Sequence, residues 1–499
     1  MESLQGLMQA FSVAMLPTNL LFAFLGCLLG TAIGVLPGLG PAGTISLLLP
    51  VVYSMGSSAT TLIFLAGIYY GSMYGGSTTS ILLNLPGEAA SVITAIDGYE
   101  MAKKGRAGAA LSIAAIGSFL AGTLAVVGLT FVAPPVAEFA LDFGPPEYFS
   151  LTLLGLFLAV FLSGGSMAKG VVLLAAGVLL ASVGLDPVTG KARFTFGSVA
   201  MQSGFDFTTL AMGVFGLGEI FFNLEKADFM GTITAKIGRL LPTAKEWAES
   251  RWAIVRGAVL GFAVGVLPGG GGVLGSLASY ATERKLSKHP EEFGKGAIAG
   301  VAGPESANNA ASTASFIPLL TLGIPTNSSM AVIFAALLIQ GVTPGPFLIT
   351  EHPDVFWGVI ASMYIGNLML LVLNLPLVGV WVRLLKVPFN ILGPLVVLLT
   401  VIGVYSTTND VFQVFVLIGF GVLGYFMRKF RFDPGPLPLA FVLAPTIENS
   451  LRQSLIMSRG SAAIFFTRPI SVTLLGIFAA LVIGQLAKGL RSHRRTAQA

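Results

Sequence analysis

The stretch Gly265-Val266-Leu267-Pro268-Gly269-Gly270-Gly271-Gly272 decides how this chain is read. It has a near twin in Gly34-Val35-Leu36-Pro37-Gly38-Leu39-Gly40, 231 residues earlier (265 − 34). Both lie in strongly apolar sequence. Inside a helix, glycine costs about 1 kcal/mol and proline about 3 kcal/mol relative to alanine. In lipid, every backbone group they free must find another partner. Such residues persist in an apolar run when the break itself builds something.

Outward from this stretch, Gly257 to Ala281 is 25 residues long. One membrane span needs about 20 apolar residues and two need about 40. Gly265, Pro268 and Gly269 to Gly272 argue against one straight helix. Arg256 and Arg284 flank the segment, so both ends are placed on the cytoplasmic side. The economical solution is a re-entrant hairpin broken at Pro268 to Gly272. Such backbone is tolerated at membrane depth where it is buried in protein or lines a cavity.

Composition sets the class. Of 499 residues, 54% are hydrophobic and 10% charged, against about 25% charged in soluble chains. Mean hydropathy is +0.85. Continuous apolar runs predict an all-α polytopic membrane protein with roughly 11–13 membrane segments, and exclude the short alternating segments of a β-barrel. The net charge of +5 does not indicate nucleic acid, because the basic residues sit in short loops and the tail. Cys27 stands alone in an apolar run and reads as a small buried or lipid-facing residue. His289, His352 and His493 lie in charged loops or the tail, so no zinc or catalytic histidine site is expected. Met1 to Ala10 carries no Lys or Arg, which argues against a signal peptide. Phe11 to Leu29 reads as a retained first span.

The order along the chain follows from charge and breakers. Residues 1–110 form a first repeat core and 111–222 scaffold spans, with Ala107 to Val132 as one span and Pro134-Pro135 as a non-helical connection. Residues 223–256 form a cytoplasmic linker. There Ile233, Ile237, Leu240 and Leu241 recur beside basic residues at the spacing of an interfacial amphipathic helix, an ordinary solvated loop being the competing reading. Residues 257–350 form a second repeat core. Residues 351–499 hold scaffold spans, a broken segment from Asp433 to about Pro445, and a basic tail placed in the cytoplasm.

Matching loops of the two cores carry opposite charge bias. Tyr53 to Thr60 is uncharged, whereas Thr282 to Lys295 holds Arg284, Lys285, Lys288 and Lys295. The first core ends at the basic loop Asp97 to Arg106, the second at Gln340 to Asp354, which has no Lys or Arg. By the positive-inside rule the two cores are inverted-topology repeats. That is the mark of a secondary transporter binding its substrate near the midplane.

Each core has a second broken stretch, Tyr74 to Glu88 and Asn308 to Asn327. A helix restarting after Pro86 or Pro325 offers free N–H groups and a positive dipole end, which suit a carboxylate. Ser77, Thr78, Thr79, Asn84, Gly87, Ser312, Thr313, Thr326, Asn327 and Ser328 are the candidate substrate contacts. Unwound backbone near Gly38, Gly40, Gly269, Gly270 and Gly271, with Asn308 and Asn309, is the candidate hairpin-tip and Na⁺ site. Glu88 and Glu305 are the ionisable residues closest to the breaks and the coupling candidates. Capping, close helix packing and backbone bonding are the competing readings of the same residues. The Gly-Lys-Ser/Thr of a phosphate loop does not follow GGGG, and the apolar region holds no nucleophile–His pattern. An enzyme is not expected, and no cofactor beyond Na⁺ or H⁺ as coupling ion.

The chain resembles the large membrane subunit (TctA-like) of the bacterial tripartite tricarboxylate transporter family. The carriers are GVLPGLGP (34–41), YGGSTTSILLNLPGE (74–88), DGYEMAKKGRAG (97–108), GVLPGGGG (265–272), GPESANNAA (303–311) and PLLTLGIPTNSSMA (318–331). The resemblance implies a permease in the inner membrane that imports citrate-like tri- or dicarboxylates as a symporter. It implies two partners, a small TctB-like membrane subunit and a periplasmic TctC-like solute-binding protein, and leaves room for a homodimer of the assembly. Elevator-type movement of the hairpin cores is expected by analogy. A carboxylate channel, or a permease working without a binding protein, remains the alternative.

Overall fold

A computed structural model describes residues 2–36, 40–162, 166–225, 237–384 and 389–496. The apolar runs become helices. The first half holds α1 (Glu2–Ala14), α2 (Pro17–Val35), α3 (Pro41–Tyr53), α4 (Ser58–Leu83), α5 (Ser91–Lys103), α6 (Ala107–Ala140), α7 (Pro145–Leu162) and α8 (Met167–Ala181). A small antiparallel pair, β1 (Gly184–Leu185) and β2 (Ala192–Arg193), closes the turn at Asp186-Pro187. Then come α9 (Phe207–Ala211), a π-helical turn (Met212–Leu217) and α10 (Gly218–Glu225). The second half holds α11 (Ala244–Gly265), α12 (Gly271–Leu286), α13 (Ala299–Ala314), α14 (Phe316–Leu322), α15 (Ser328–Ile339), α16 (Leu348–Glu351), α17 (Pro353–Asn374) and α18 (Val378–Leu384). It closes with α19 (Phe389–Thr408), α20 (Val411–Lys429), α21 (Pro436–Met457), α22 (Ile464–Thr467) and α23 (Pro469–Thr496). Among the described residues, six helices are long and apolar enough to cross a membrane, with shorter apolar helices between them. This is an all-α polytopic membrane protein.

The glycine stretch is a hairpin. α11 ends at Gly265, Gly269 takes the left-handed conformation (φ 74°), and α12 starts at Gly271. The two helices run back along each other, and a Cβ on Gly275 would lie 3.4 Å from Gly261 Cα. Near the open end Arg256 Nε and Nη2 donate to Glu283 Oε1 and Oε2 at 2.7 and 2.5 Å.

The repeat is visible in how the backbones meet. On α2, a Cβ at Gly26, Gly30 or Gly34 would sit 2.4, 2.3 or 2.4 Å from the carbonyl oxygens of Phe64, Ile68 and Ser72 on α4. On α11, a Cβ at Gly257, Gly261 or Gly265 would sit 2.4, 2.1 or 2.4 Å from those of Gly303, Ala307 and Ala311 on α13. The ridges are 231 residues apart (257 − 26) and the carbonyls 239 apart (303 − 64). Glycine at every fourth position lets two helices touch backbone to backbone, as small residues do in membranes. Both carbonyl-bearing stretches then end in a left-handed residue before X-Pro. These are Asn84 (φ 58°) before Leu85-Pro86 and Gly323 (φ 66°) before Ile324-Pro325, again 239 apart (323 − 84).

Several expectations are corrected. The first apolar run is split at Leu16, because Pro17 opens a new helix at the position where its missing N–H costs nothing. α6 does not stop before Pro134-Pro135 but continues to Ala140. Ala133, Ala137 and Ala140 are buried on one face, and this packing holds the turn that the prolines weaken. Within the expected scaffold spans, residues 199–206 are not helical, and α9 begins at Phe207, where Asp206 Oδ1 accepts from Thr209 N at 3.0 Å. The stretch from Asp433 to Pro445 does not break in its middle. Pro436 and Pro438 stand in the first turn of α21, which runs through Pro445. In the linker, Ile233 lies outside the described residues, and residues 237–243 are not helical. Ile237 and Leu240 instead pack on a core of Ile81, Met101 and Ile113. The linker backbone lies so close to α6 that a Cβ on Gly108 would meet Arg239 O at 2.2 Å. α11 begins only at the Thr243–Glu246 capping box.

Candidate functional site

The breaks of both repeats open on one cavity of about 550 Å³. From the repeats come Gly40, Glu88 to Ala90, Gly269 to Val273, Asn308, Ser312 and Thr326 to Ser329. From the surrounding helices come Ala159, Leu162, Phe215, Glu219, Arg428 and the turn Asp433 to Pro436. α3, α12, α15 and α21 all start at this wall, so their orphan N–H groups and positive dipole ends face it. The second break is held open by its own chemistry. Asn327 caps α15 by accepting from Met330 N at 3.1 Å, and its Nδ2 donates to Tyr69 Oη at 3.2 Å. Gly269 N donates to Thr326 O at 2.7 Å, which ties the hairpin tip to the break.

Three buried acids join the repeats crosswise. Glu88 Oε1 accepts from Asn308 Nδ2 at 2.9 Å, and its Oε2 accepts from Ala90 N at 2.6 Å. Glu305 Oε2 accepts from Ser77 Oγ at 2.5 Å, and its Oε1 accepts from Thr94 Oγ1. Asp97 Oδ1 accepts from the N–H groups of Gly294, Gly296 and Ala297 at 2.9, 2.7 and 2.9 Å, while Oδ2 accepts from Tyr280 Oη at 2.9 Å. Among the described residues no Lys or Arg pairs with any of the three. Neutral donors hold them, and the first and second repeats are clasped into one body.

A family model described as the tripartite tricarboxylate transporter TctA family matches residues 20–439. The chain belongs to this family. It is 50% identical over 494 residues to an "uncharacterized 52.8 kDa protein in TAR-I ttuC′ 3′ region" of Agrobacterium vitis, covering 99% of this chain and 98% of that one. A second A. vitis protein, from the TAR-II ttuC′ 3′ region, is 54% identical over 234 residues, which is 47% of this chain and 97% of its own length. No solved structure matches. As a TctA-family chain it is a multi-pass membrane subunit of a tricarboxylate transporter, and the family is one of transporters rather than enzymes.

In this TctA-family fold the residues singled out from the sequence separate into two groups. Gly40, Glu88, Gly269, Gly270, Gly271, Asn308, Ser312, Thr326, Asn327 and Ser328 line the cavity. The others do not. Ser77 is bonded to Glu305, and Thr79 Oγ1 donates to Val35 O at 2.5 Å. Thr78 faces a void of about 10 Å³ beside Ser118 and Asn374. Asn84 caps α4 in the left-handed conformation. Gly87 meets Gly34, whose carbonyl oxygen would be 2.0 Å from an added Cβ. Thr313 Oγ1 donates to Asn309 O, and Asn309 Nδ2 donates to Ser118 Oγ at 2.6 Å. Glu305 is fully buried away from the cavity. Gly38 lies outside the described residues.

Sequence reasoning missed Tyr69, Glu219, Arg428 and Asp433, which also line the cavity. Glu219 had a readable signal, an acid inside an apolar run. Arg428 had none that separates it from its basic neighbours Lys429 and Arg431.

Proposed function

We propose that this chain is the permease subunit of a binding-protein-dependent secondary transporter importing citrate-like tri- and dicarboxylates on a cation gradient. The observation that carries this reading is the cavity, where break points from both repeats meet the surrounding helices around four helix starts. Helix starts attract carboxylates without a fixed salt bridge, which suits reversible release. For the cation, Glu88 supplies a carboxylate, and Asn308 Oδ1, on the same wall, is a buried oxygen with no hydrogen-bond partner among the described residues. Na⁺ bound there, or H⁺ on Glu88, couples the gradient to substrate occupancy.

The clasped repeats are the moving body in this reading, and the remaining helices are the scaffold, so transport proceeds elevator fashion. A small membrane subunit and a periplasmic solute-binding protein complete the assembly, in a bacterial inner membrane with the basic tail in the cytoplasm. The test is citrate uptake by the full assembly in liposomes, with Na⁺ and H⁺ gradients imposed separately. Uptake should saturate and should follow one of the two gradients. Uptake indifferent to both would sink the coupled reading and leave a channel.

A further inference from the structure

Arg428 is the one basic side chain among the described residues lining the cavity. It comes from α20, outside the clasped repeats. Its Nε and Nη2 both lie 2.7 Å from Glu219 Oε2. Its Nη1 donates to Val214 O at 2.8 Å and to Gly424 O at 3.0 Å. Val214 belongs to the π-helical turn, where the ladder runs one residue longer: Gly218 N reaches Gly213 O. Where a π turn returns to α-helical register a carbonyl is left over, and such turns cluster at functional sites. Val214 O is next in line, and the guanidinium takes it. α20 approaches closely enough because position 424 is glycine; a Cβ there would meet Val214 O at 2.6 Å.

A guanidinium has five N–H donors. Nε, both Nη1 hydrogens and one Nη2 hydrogen are accounted for by the contacts above. One Nη2 hydrogen remains without a partner among the described residues, on a side chain that is 11% exposed beside the cavity. A pure tie between α20 and the π turn would be complete with the two carbonyls. Here the fork is also fixed in plane by an acid that itself lines the cavity. Planar arginine forks are the strongest side-chain readers of carboxylates.

We propose that Arg428 is the specificity residue that reads the second carboxylate of the substrate, with Glu219 as the acid that positions the guanidinium and competes for it. This rests on the carboxylate-transport reading above. One carboxylate lies against the helix starts of the repeats and another reaches Arg428. A monocarboxylate satisfies only the first contact, so the site discriminates by the number of carboxylates.

The experiment is equilibrium binding of succinate, citrate and butyrate to the full chain in lipid nanodiscs, for wild type, Arg428→Gln, Arg428→Lys and Glu219→Gln. Arg428→Gln should weaken succinate and citrate tenfold or more and leave butyrate unchanged. Arg428→Lys should fall between, because it keeps charge and loses the fork. Glu219→Gln should tighten both di- and tricarboxylate, because the competitor is removed while the two carbonyls still hold the guanidinium. A merely structural tie predicts the opposite sign for Glu219→Gln, and that sign overturns the proposal. Equal weakening of all three ligands by Arg428→Gln also overturns it. If Arg428→Gln does not fold, the Glu219→Gln sign decides. Wild type that binds none of the three overturns the carboxylate reading itself, and this proposal with it.

Discussion

Glu305 on α13 accepts a hydrogen bond from Ser77 on α4 at 2.5 Å, across 228 residues of chain. The acid has no cationic partner among the described residues, and its other oxygen is held by the Thr94 hydroxyl. Removing the carboxyl leaves the buried Thr94 hydroxyl without this acceptor, at a cost of about 1–3 kcal/mol, and leaves Ser77 Oγ with only a long bond to Met73 O at 3.4 Å. Glu305→Ala should therefore lower the Tm of the purified chain clearly. Glu305→Gln, which keeps one acceptor oxygen, should lower it less. Equal Tm values for all three proteins would show that this bond does not hold the repeats together.

The glycine ridges make a second, sharper prediction. A Cβ at Gly261 meets the Ala307 carbonyl oxygen at 2.1 Å, whereas Gly476 on α23 has nothing within 4 Å of an added Cβ. Overpacking costs about 1–3 kcal/mol or more, while Gly→Ala in an open helix gains about 0.5–1 kcal/mol. Gly261→Ala should reduce the yield of monodisperse protein and its Tm, and Gly30→Ala should do the same. Gly476→Ala should match or exceed wild type. Normal stability of Gly261→Ala would mean the backbones do not approach this closely.

At the hairpin tip, Gly269 has φ 74° and a Cβ there would lie 2.5 Å from Ala159 Cα. Gly40, at the start of α3, has φ −70° and, among the described residues, nothing within 4 Å of an added Cβ. Gly269→Val should abolish citrate uptake in liposomes while the protein still inserts, because the tip cannot seat against α7. Gly40→Ala should keep uptake within about a factor of two of wild type. Uptake by Gly269→Val at the wild-type rate would remove the tip from the mechanism.

Outside the membrane segments, the β1–β2 turn is held by Asp186. Its oxygens accept from Arg452 Nη1 and Nη2 at 3.2 and 2.7 Å and from the N–H groups of Val188 and Thr189. The Arg452 hydrogen bonds hold this carboxyl well below the usual carboxylate range. A folded-state pKa below the unfolded value of about 3.9 contributes stability above that pH and loses it as pH falls toward the folded value. Melting of the wild type should thus be insensitive to this group from pH 8 to 5 and weaken below about pH 4. Asp186→Asn should lack that step. Identical pH profiles for the two would refute the assignment.

Much of this architecture was legible because its signals are local. Pro268 and the glycines after it announce a break whatever surrounds them, and the flanking arginines say that the chain returns. The twin at Gly34 needed only comparison along the chain. What failed were features decided by packing partners. Pro134-Pro135 looks like a terminus until Ala133, Ala137 and Ala140 are seen buried along α6. Ile237, Leu240 and Leu241 have helical periodicity, yet the segment is non-helical and lies over Gly108, with Ile237 and Leu240 packed and Leu241 exposed. At the site, Glu88 and Asn308 were found from their place beside breaks. Ser77 and Thr79 share that sequence signature but are used inside the repeats. Arg428 was missed because one arginine in a basic run has no local mark; only the fold brings it to the cavity.

The clasps leave the repeats with three buried acids that have no basic partner among the described residues. Should the clasped body travel across the bilayer, any of these groups that is ionised becomes a charge moved through an electric field. The work is about 2.3 kcal/mol per charge for a full crossing at 100 mV. An empty body would then be held toward one face by the resting potential, and loading it with a cation would cancel part of that force. The stroke that resets the transporter, rather than the one that delivers substrate, would be the more voltage-dependent step. Uptake measured across a series of potassium diffusion potentials reads this directly: exchange of internal for external citrate should depend on the potential less than net uptake does.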